Sequence, residues 1–228
     1  MRTKKAGTDF IFLILLLLQI VNFFVAGYQK EGYYIDELWS YGLANSYYQP
    51  FLQDREDYLN EWHSSNYFAS YLTAMPGETF SFDSVYDNQT KDVHPPLYYM
   101  LLHMISSCVA GRFSKWIGLF VNLLFFVGTL IVLYRISCEY LGKGRYVVLL
   151  PVLIYGFSIG GMNTAMYIRM YMMLTFWTTL FLYLVLRFAQ ESKIRGGYLL
   201  LLGMVSVCGF LTQYYFAVFA FLWRLHLY

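Results

Sequence analysis

Residues 10–27 read FIFLILLLLQIVNFFVAG, 18 positions without a charge, behind a basic start of Arg2, Lys4 and Lys5. A run of that length is long enough to cross the hydrocarbon core of a bilayer as a helix. It exceeds the apolar stretch of a cleaved signal peptide, although Val25, Ala26 and Gly27 offer small residues for cleavage, so it is read as a retained span. Further apolar runs follow at about 116–134, 146–162, 171–186 and 198–211, and another opens at Phe216. With 58% hydrophobic residues, 13% charged residues and a mean hydropathy of +0.46, the chain lies outside the range of ordinary soluble domains. The expected fold class is an all-α integral membrane protein, a multi-span helical bundle.

The net charge of +2 conceals a segregation. Eleven of the 14 acidic residues fall between Glu31 and Asp92, where only Arg55 and Lys91 oppose them, while Lys and Arg gather near the ends of the apolar runs. A solvated acidic loop, 28–93, therefore follows the first span. Within it the Asp54-x-x-Asp57 spacing predicts an amphipathic helix at the interface, with Leu59, Trp62, Ala69 and Leu72 on one face and Pro76-Gly77 as its stop. A shorter juxtamembrane helix is predicted after Asp36, where Leu38, Tyr41 and Tyr48 recur. Twelve tyrosines between Tyr28 and Tyr99 suit a surface that meets headgroups and hydroxylated ligands. Asn88-Gln89-Thr90 fits a glycosylation sequon. Cys108, Cys138 and Cys208 have no paired spacing, so neither a disulfide framework nor a metal cluster is indicated, and no nucleic-acid partner is expected.

Whether the segment 96–110 crosses the membrane decides which motifs share a side. If it crosses, six of the Lys and Arg near the spans are inside and six outside, which is no bias. If it only dips into the membrane or lies along it, Arg2, Lys4, Lys5, Arg135, Lys143, Arg145, Arg187, Lys193 and Arg195 are inside, against three outside. Cytoplasmic loops are enriched in these charges, so the second arrangement is expected. It makes 1–27 a cytoplasmic N-terminus and first span, 28–93 an extracytoplasmic loop, and 94–228 a helical bundle. Asp36, His94, Arg169 and the Gln213-Tyr214 pair then meet on the non-cytoplasmic face.

Asp36 and Glu37, just past the first span, can supply a general base for a hydroxyl arriving from water. The same pair can equally complement a helix dipole. His94-Pro95-Pro96 opens a helix whose free amides attract anions, and an imidazole beside them can meet a phosphate. Arg169 is a lone guanidinium at the end of a span, expensive to bury without a partner and well shaped for phosphate, unless it snorkels to the interface. Gln213-Tyr214-Tyr215 ends a later span, where aromatics cluster in any membrane protein.

In order along the chain, YIDELWSYGLA around Asp36-Glu37, DVHPPLYYMLLH at 92–103, RMYMMLTFW at 169–177 and LTQYYFAVF at 211–219 resemble the GT-C superfamily of membrane glycosyltransferases. The likeness is to the family 39-like branch that groups protein O-mannosyltransferases and aminoarabinose transferases. The resemblance implies an inverting transfer of a sugar from a polyprenyl-phosphate donor to a hydroxyl-bearing acceptor (protein, lipid or cell-surface glycan) at the outer face of the cell membrane. By this likeness Asp36, with Glu37, is catalytic and Asp36 is the base; His94, Arg169 and Tyr171 bind the donor phosphate; Tyr98, Tyr99, Gln213 and Tyr214 contact acceptor or sugar. No metal ligand is assigned, and a divalent metal stays open as a cofactor. Many relatives carry a His where this chain has Gln213. Members of the family also continue with more helices, so the bundle is read as incomplete at its C-terminus, and a non-catalytic membrane subunit or scaffold that keeps the GT-C fold is the alternative.

Overall fold

The computed structural model describes residues 2–55, 61–190 and 196–225, and all regular secondary structure among them is helical. The first helix, α1 (Arg2–Gln29), is followed by four short helices: α2 (Ile35–Asn45), α3 (Ser65–Leu72), α4 (Phe82–Thr90) and α5 (Leu97–Ser107). The long helix α6 (Lys115–Leu141) comes next. Then come α7 (Leu150–Phe157), α8 (Ile159–Met166), α9 (Tyr171–Phe188), α10 (Gly196–Thr212) and α11 (Tyr215–Leu225).

Among the described residues three helices are long and apolar enough to cross a membrane: 7–29 of α1, α6 and α9. The apolar run 146–162, expected as one span, is a bent pair that turns by 52° between α7 and α8 and makes a fourth candidate if counted as one. The break is chemical. Ser158 leaves the helical region (φ −70°, ψ 146°), and its hydroxyl accepts from the Gly161 amide at 2.9 Å, capping a new helix start.

Contacts between the long helices fix two ends of the bundle. Lys115, at the start of α6, donates to the Tyr28 carbonyl at 3.2 Å, while Tyr134 near its other end stacks on Phe12 and donates to Asp9 at 2.6 Å. The first helix and α6 are therefore antiparallel. Along α9, Phe176 packs on Phe125 near the start, and Arg187 meets Glu139 at 3.5 Å near the finish, so α9 runs with α6. The bent pair returns beside α1, held by Gln19 Nε2 donating to the Val152 carbonyl at 2.7 Å. One end of the bundle thus gathers the α1–α2 connection, the α8–α9 turn and the start of α6.

The short helices pack over that end. With 11 residues, α5 is about 16 Å long, roughly half the hydrocarbon thickness. Both its flanks lie at the same end of the bundle, His94 against Arg169 and Ser114 accepting from the Tyr41 hydroxyl at 2.8 Å. Close approach needs small residues here. A Cβ on Gly42 would sit 1.9 Å from the Tyr71 ring, and one on Gly118 would sit 2.1 Å from Ile168 Cγ2.

Several expectations for the loop are corrected. The amphipathic helix expected from Asp54 onward is instead a single 3-10 turn, Leu52–Asp54, and the separate helix α3, which ends at Leu72, ahead of Pro76. Trp62 is wholly exposed and outside any helix, and Asp57 and Leu59 lie outside the described residues. Tyr48 falls beyond α2 with φ at 52°. Asn88 is fully buried, and its amide donates to the Leu43 and Ser46 carbonyls, so the sequon has no accessible nitrogen to glycosylate.

Candidate functional site

The site is built where the start of α2 meets the four-residue turn between α8 and α9. Two neighbours shape that turn. Asn122 of α6 donates its amide to the Ala165 and Tyr167 carbonyls at 3.0 and 2.8 Å, and Ile168 fills the space left by Gly118. The Arg169 amide closes a tight turn onto the Tyr167 carbonyl at 2.7 Å. These contacts hold the turn that presents Tyr167 and Arg169.

Glu37 locks the turn to α2. It is fully buried, and both oxygens are engaged: Oε1 accepts from the Ile168 amide at 2.8 Å, and Oε2 accepts from the Tyr34 amide at 2.8 Å and from Lys30 Nζ at 2.9 Å. Fully buried beneath these three bonds, the Glu37 carboxylate presents no surface to an arriving hydroxyl, and the part its geometry shows is a structural one. Asp36 differs. It is half-buried, Oδ2 accepts from the Tyr167 hydroxyl at 2.8 Å, and Oδ1 has no protein partner among the described residues.

Arg169 is 5% exposed. Its Nη1 donates to the Asp36 main-chain carbonyl at 3.1 Å, its Nη2 faces His94 Nε2 at 3.4 Å, and its buried Nε has no partner. No carboxylate lies within ion-pair distance of it among the described residues. A guanidinium only donates, so His94 Nε2 must offer a lone pair, and the ring proton sits on Nδ1, facing Asp92 Oδ2 at 2.8 Å. Burial works to raise the Asp92 pKa, but the hydrogen bond from His94, the Val93 amide and the nearby Arg169 charge hold it below the ordinary value. The Tyr167 hydroxyl is pushed up to about 12 by burial and by its bond to Asp36, so it remains a donor at neutral pH.

Two clefts flank this chain of contacts. One, of about 550 Å³, is lined by Lys30, Tyr34, Asn163, Thr164, Met166, Tyr167 and Tyr171. The other, of about 530 Å³, is lined by Val93, His94, Gln213, Tyr214, Tyr215 and Val218. Asp36, His94 and Arg169 are therefore brought together, and Gln213 and Tyr214 share the cleft of His94. Tyr171 opens instead on the cleft beside Tyr167. Tyr98 and Tyr99 do not reach either cleft: both are fully buried in the core, Tyr98 against Asn122 at 3.4 Å. The helix α5 turns that edge of its apolar surface inward.

The sequence reading missed Asp92, Tyr167 and Lys30. Asp92 lies two residues before His94, which is the spacing of a local side-chain pair, whereas Tyr167 was hidden among interfacial tyrosines. No group of three or more metal-ligating side chains occurs among the described residues. No protein-family model matches the chain, and neither a curated protein nor a solved structure matches it.

Proposed function

We propose that the protein is a membrane glycosyltransferase that moves a sugar from a polyprenyl-phosphate donor to a hydroxyl-bearing acceptor at the extracytoplasmic face. The observation that carries this reading is Arg169, a buried guanidinium whose Nε and whose charge have no hydrogen-bond or carboxylate partner among the described residues, one contact away from both Asp36 and His94. Burying such a charge is costly unless an anion completes it. A phosphate ester accepts the forked donors of arginine well.

In this reaction the acceptor O–H gives its proton to Asp36, through the oxygen that Tyr167 leaves free. The acceptor oxygen forms a bond to the anomeric carbon, the bond from that carbon to the phosphate oxygen breaks, and the phosphate leaves with the electron pair. A single displacement of this kind inverts the anomeric centre. The leaving group is a stabilised anion, so the site needs a base and positive charge more than an acid. Arg169 supplies the charge, and His94, held by Asp92, keeps the guanidinium oriented. The carrier is confined to the bilayer beside the site, which lessens the entropic cost of encounter.

The test is Asp36→Asn in membranes supplied with a polyprenyl-phosphate sugar. Loss of transfer by about 100-fold or more, with membrane insertion and carrier binding intact, is the result expected for a base. Unchanged transfer removes Asp36 from the chemistry. Carrier binding without any transfer by the unaltered protein favours a lipid-binding scaffold.

A further inference from the structure

The cleft beside Asp36 has a lining unlike that of its neighbour. Tyr167 and Tyr171 are parallel, with ring centroids 5.8 Å apart and planes 5° from each other, and Tyr34 stands nearly perpendicular to Tyr167 at 84°. All three rings line the cleft, and the exposed Asn163 amide and the Thr164 hydroxyl, one turn away on α8, add polar groups. Thr164 donates to the Gly160 carbonyl, which leaves its oxygen lone pairs for a donor. Lys30 is committed to Glu37 and so adds little free charge. Met166 adds one aliphatic side chain, and the cleft is otherwise polar and aromatic without being strongly charged.

That chemistry suits a pyranose ring, whose C–H face lies against an aromatic plane while its hydroxyls bond amides and alcohols around the edge. A peptide acceptor would call for different equipment. Extended peptides are held by an open sheet edge or a long groove with main-chain partners, and no strand occurs among the described residues. The neighbouring cleft, with Val93, Tyr214, Tyr215 and Val218 exposed around His94, offers an apolar mouth suited to an isoprenoid.

We infer that the cleft formed by Tyr34, Tyr167, Tyr171, Asn163 and Thr164 seats a carbohydrate acceptor, so that the hydroxyl presented to Asp36 belongs to a sugar and not to a protein side chain. This rests on the reading of the site as a sugar transferase, and it assigns the two clefts to different substrates. Tyr171 becomes a specificity-determining contact of the acceptor, not of the donor phosphate. It is 38% exposed at the first position of α9, so its ring can be replaced without opening the core.

The experiment measures binding to the full chain in lipid nanodiscs by saturation-transfer NMR. The probes are three trisaccharides built of glucose in α linkage, glucose in β linkage and N-acetylglucosamine, with a Ser/Thr-rich peptide as a fourth. At least one trisaccharide binds, its affinity falls about tenfold or more in Tyr171→Leu, and Tyr171→Trp retains it. Asn163→Ala weakens the same ligand without altering thermal stability. Binding of the peptide alone, binding of no trisaccharide, or equal affinity in Tyr171→Leu overturns the assignment. Parallel titrations with bare and sugar-loaded polyprenyl phosphate separate the two claims. If Tyr171→Leu weakens only the sugar-loaded carrier, the ring seat belongs to the donor and this inference fails. If neither carrier binds the unaltered protein, the transferase reading fails.

Discussion

Removing the Glu37 carboxylate strands three donors at once: Lys30 Nζ and the amides of Tyr34 and Ile168. Glu37→Ala is therefore expected to cost about 3–5 kcal/mol, the range for leaving a buried charge unpaired, read as a lowered denaturation midpoint. Glu37→Gln keeps one acceptor and is expected to cost less, and a Glu37→Ala variant as stable as the parent contradicts the bonding described. Asp92 yields a pH dependence with a definite sign. Its folded-state pKa lies below the ordinary 3.8, so the Asp92–His94 contact stabilises the fold fully above that value and is lost as pH falls through the lower one. Thermal midpoints of the parent and Asp92→Asn should differ most near neutrality and converge on acidification below about pH 3.8. At this scale Asp36, His94 and Arg169 were legible because a carboxylate, an imidazole and a guanidinium are each costly at the edge of an apolar span. Tyr98 and Tyr99 were misread because α5 is apolar around most of its circumference, and no periodicity told its buried edge from its open one.

Elements hold the site through close approaches that only glycine permits. Gly118→Ala places a methyl 2.1 Å from Ile168 Cγ2 and 2.9 Å from the Tyr41 hydroxyl, so the turn carrying Tyr167 and Arg169 must move away from α6. The expected cost is about 1–3 kcal/mol, together with weaker carrier binding, measured by denaturation and titration on the same sample. Full affinity in that variant would show that the turn is not positioned by α6. The break between α7 and α8 depends on one hydroxyl, and Ser158→Ala is expected to cost about 1 kcal/mol. The long apolar runs were legible as helices from length and composition alone. The bend was not, because the stretch 146–162 is continuously apolar and the cap that divides it is a single serine inside it. The loop helices α3 and α4 were equally hidden: they are short, and packing on α2 and α5 decides their limits more than their own periodicity.

Across the whole molecule, the candidate site residues and a second set of Lys and Arg lie at opposite ends of the bundle. Asp36, His94, Arg169 and Gln213 gather at one, and Arg135, Lys143 and Arg187 lie at the other, the partition that a charge count along the sequence suggested. With α1, α6 and α9 as spans, cysteines placed at the exposed positions Val93 and Lys143 should be labelled by an impermeant reagent from opposite sides of the membrane, and labelling from one side contradicts the sidedness proposed here. Arg169, buried without a carboxylate partner among the described residues, is the group proposed to receive the carrier phosphate. The most direct measurement titrates polyprenyl phosphate, with uncharged polyprenol as the control, into nanodiscs holding the parent chain or Arg169→Met. The phosphate should bind the parent far better than polyprenol does, and Arg169→Met should lose about 100-fold or more, at least the worth of one strong charge-assisted hydrogen bond. Equal binding of phosphate and alcohol by the parent, or full affinity in Arg169→Met, would contradict that assignment.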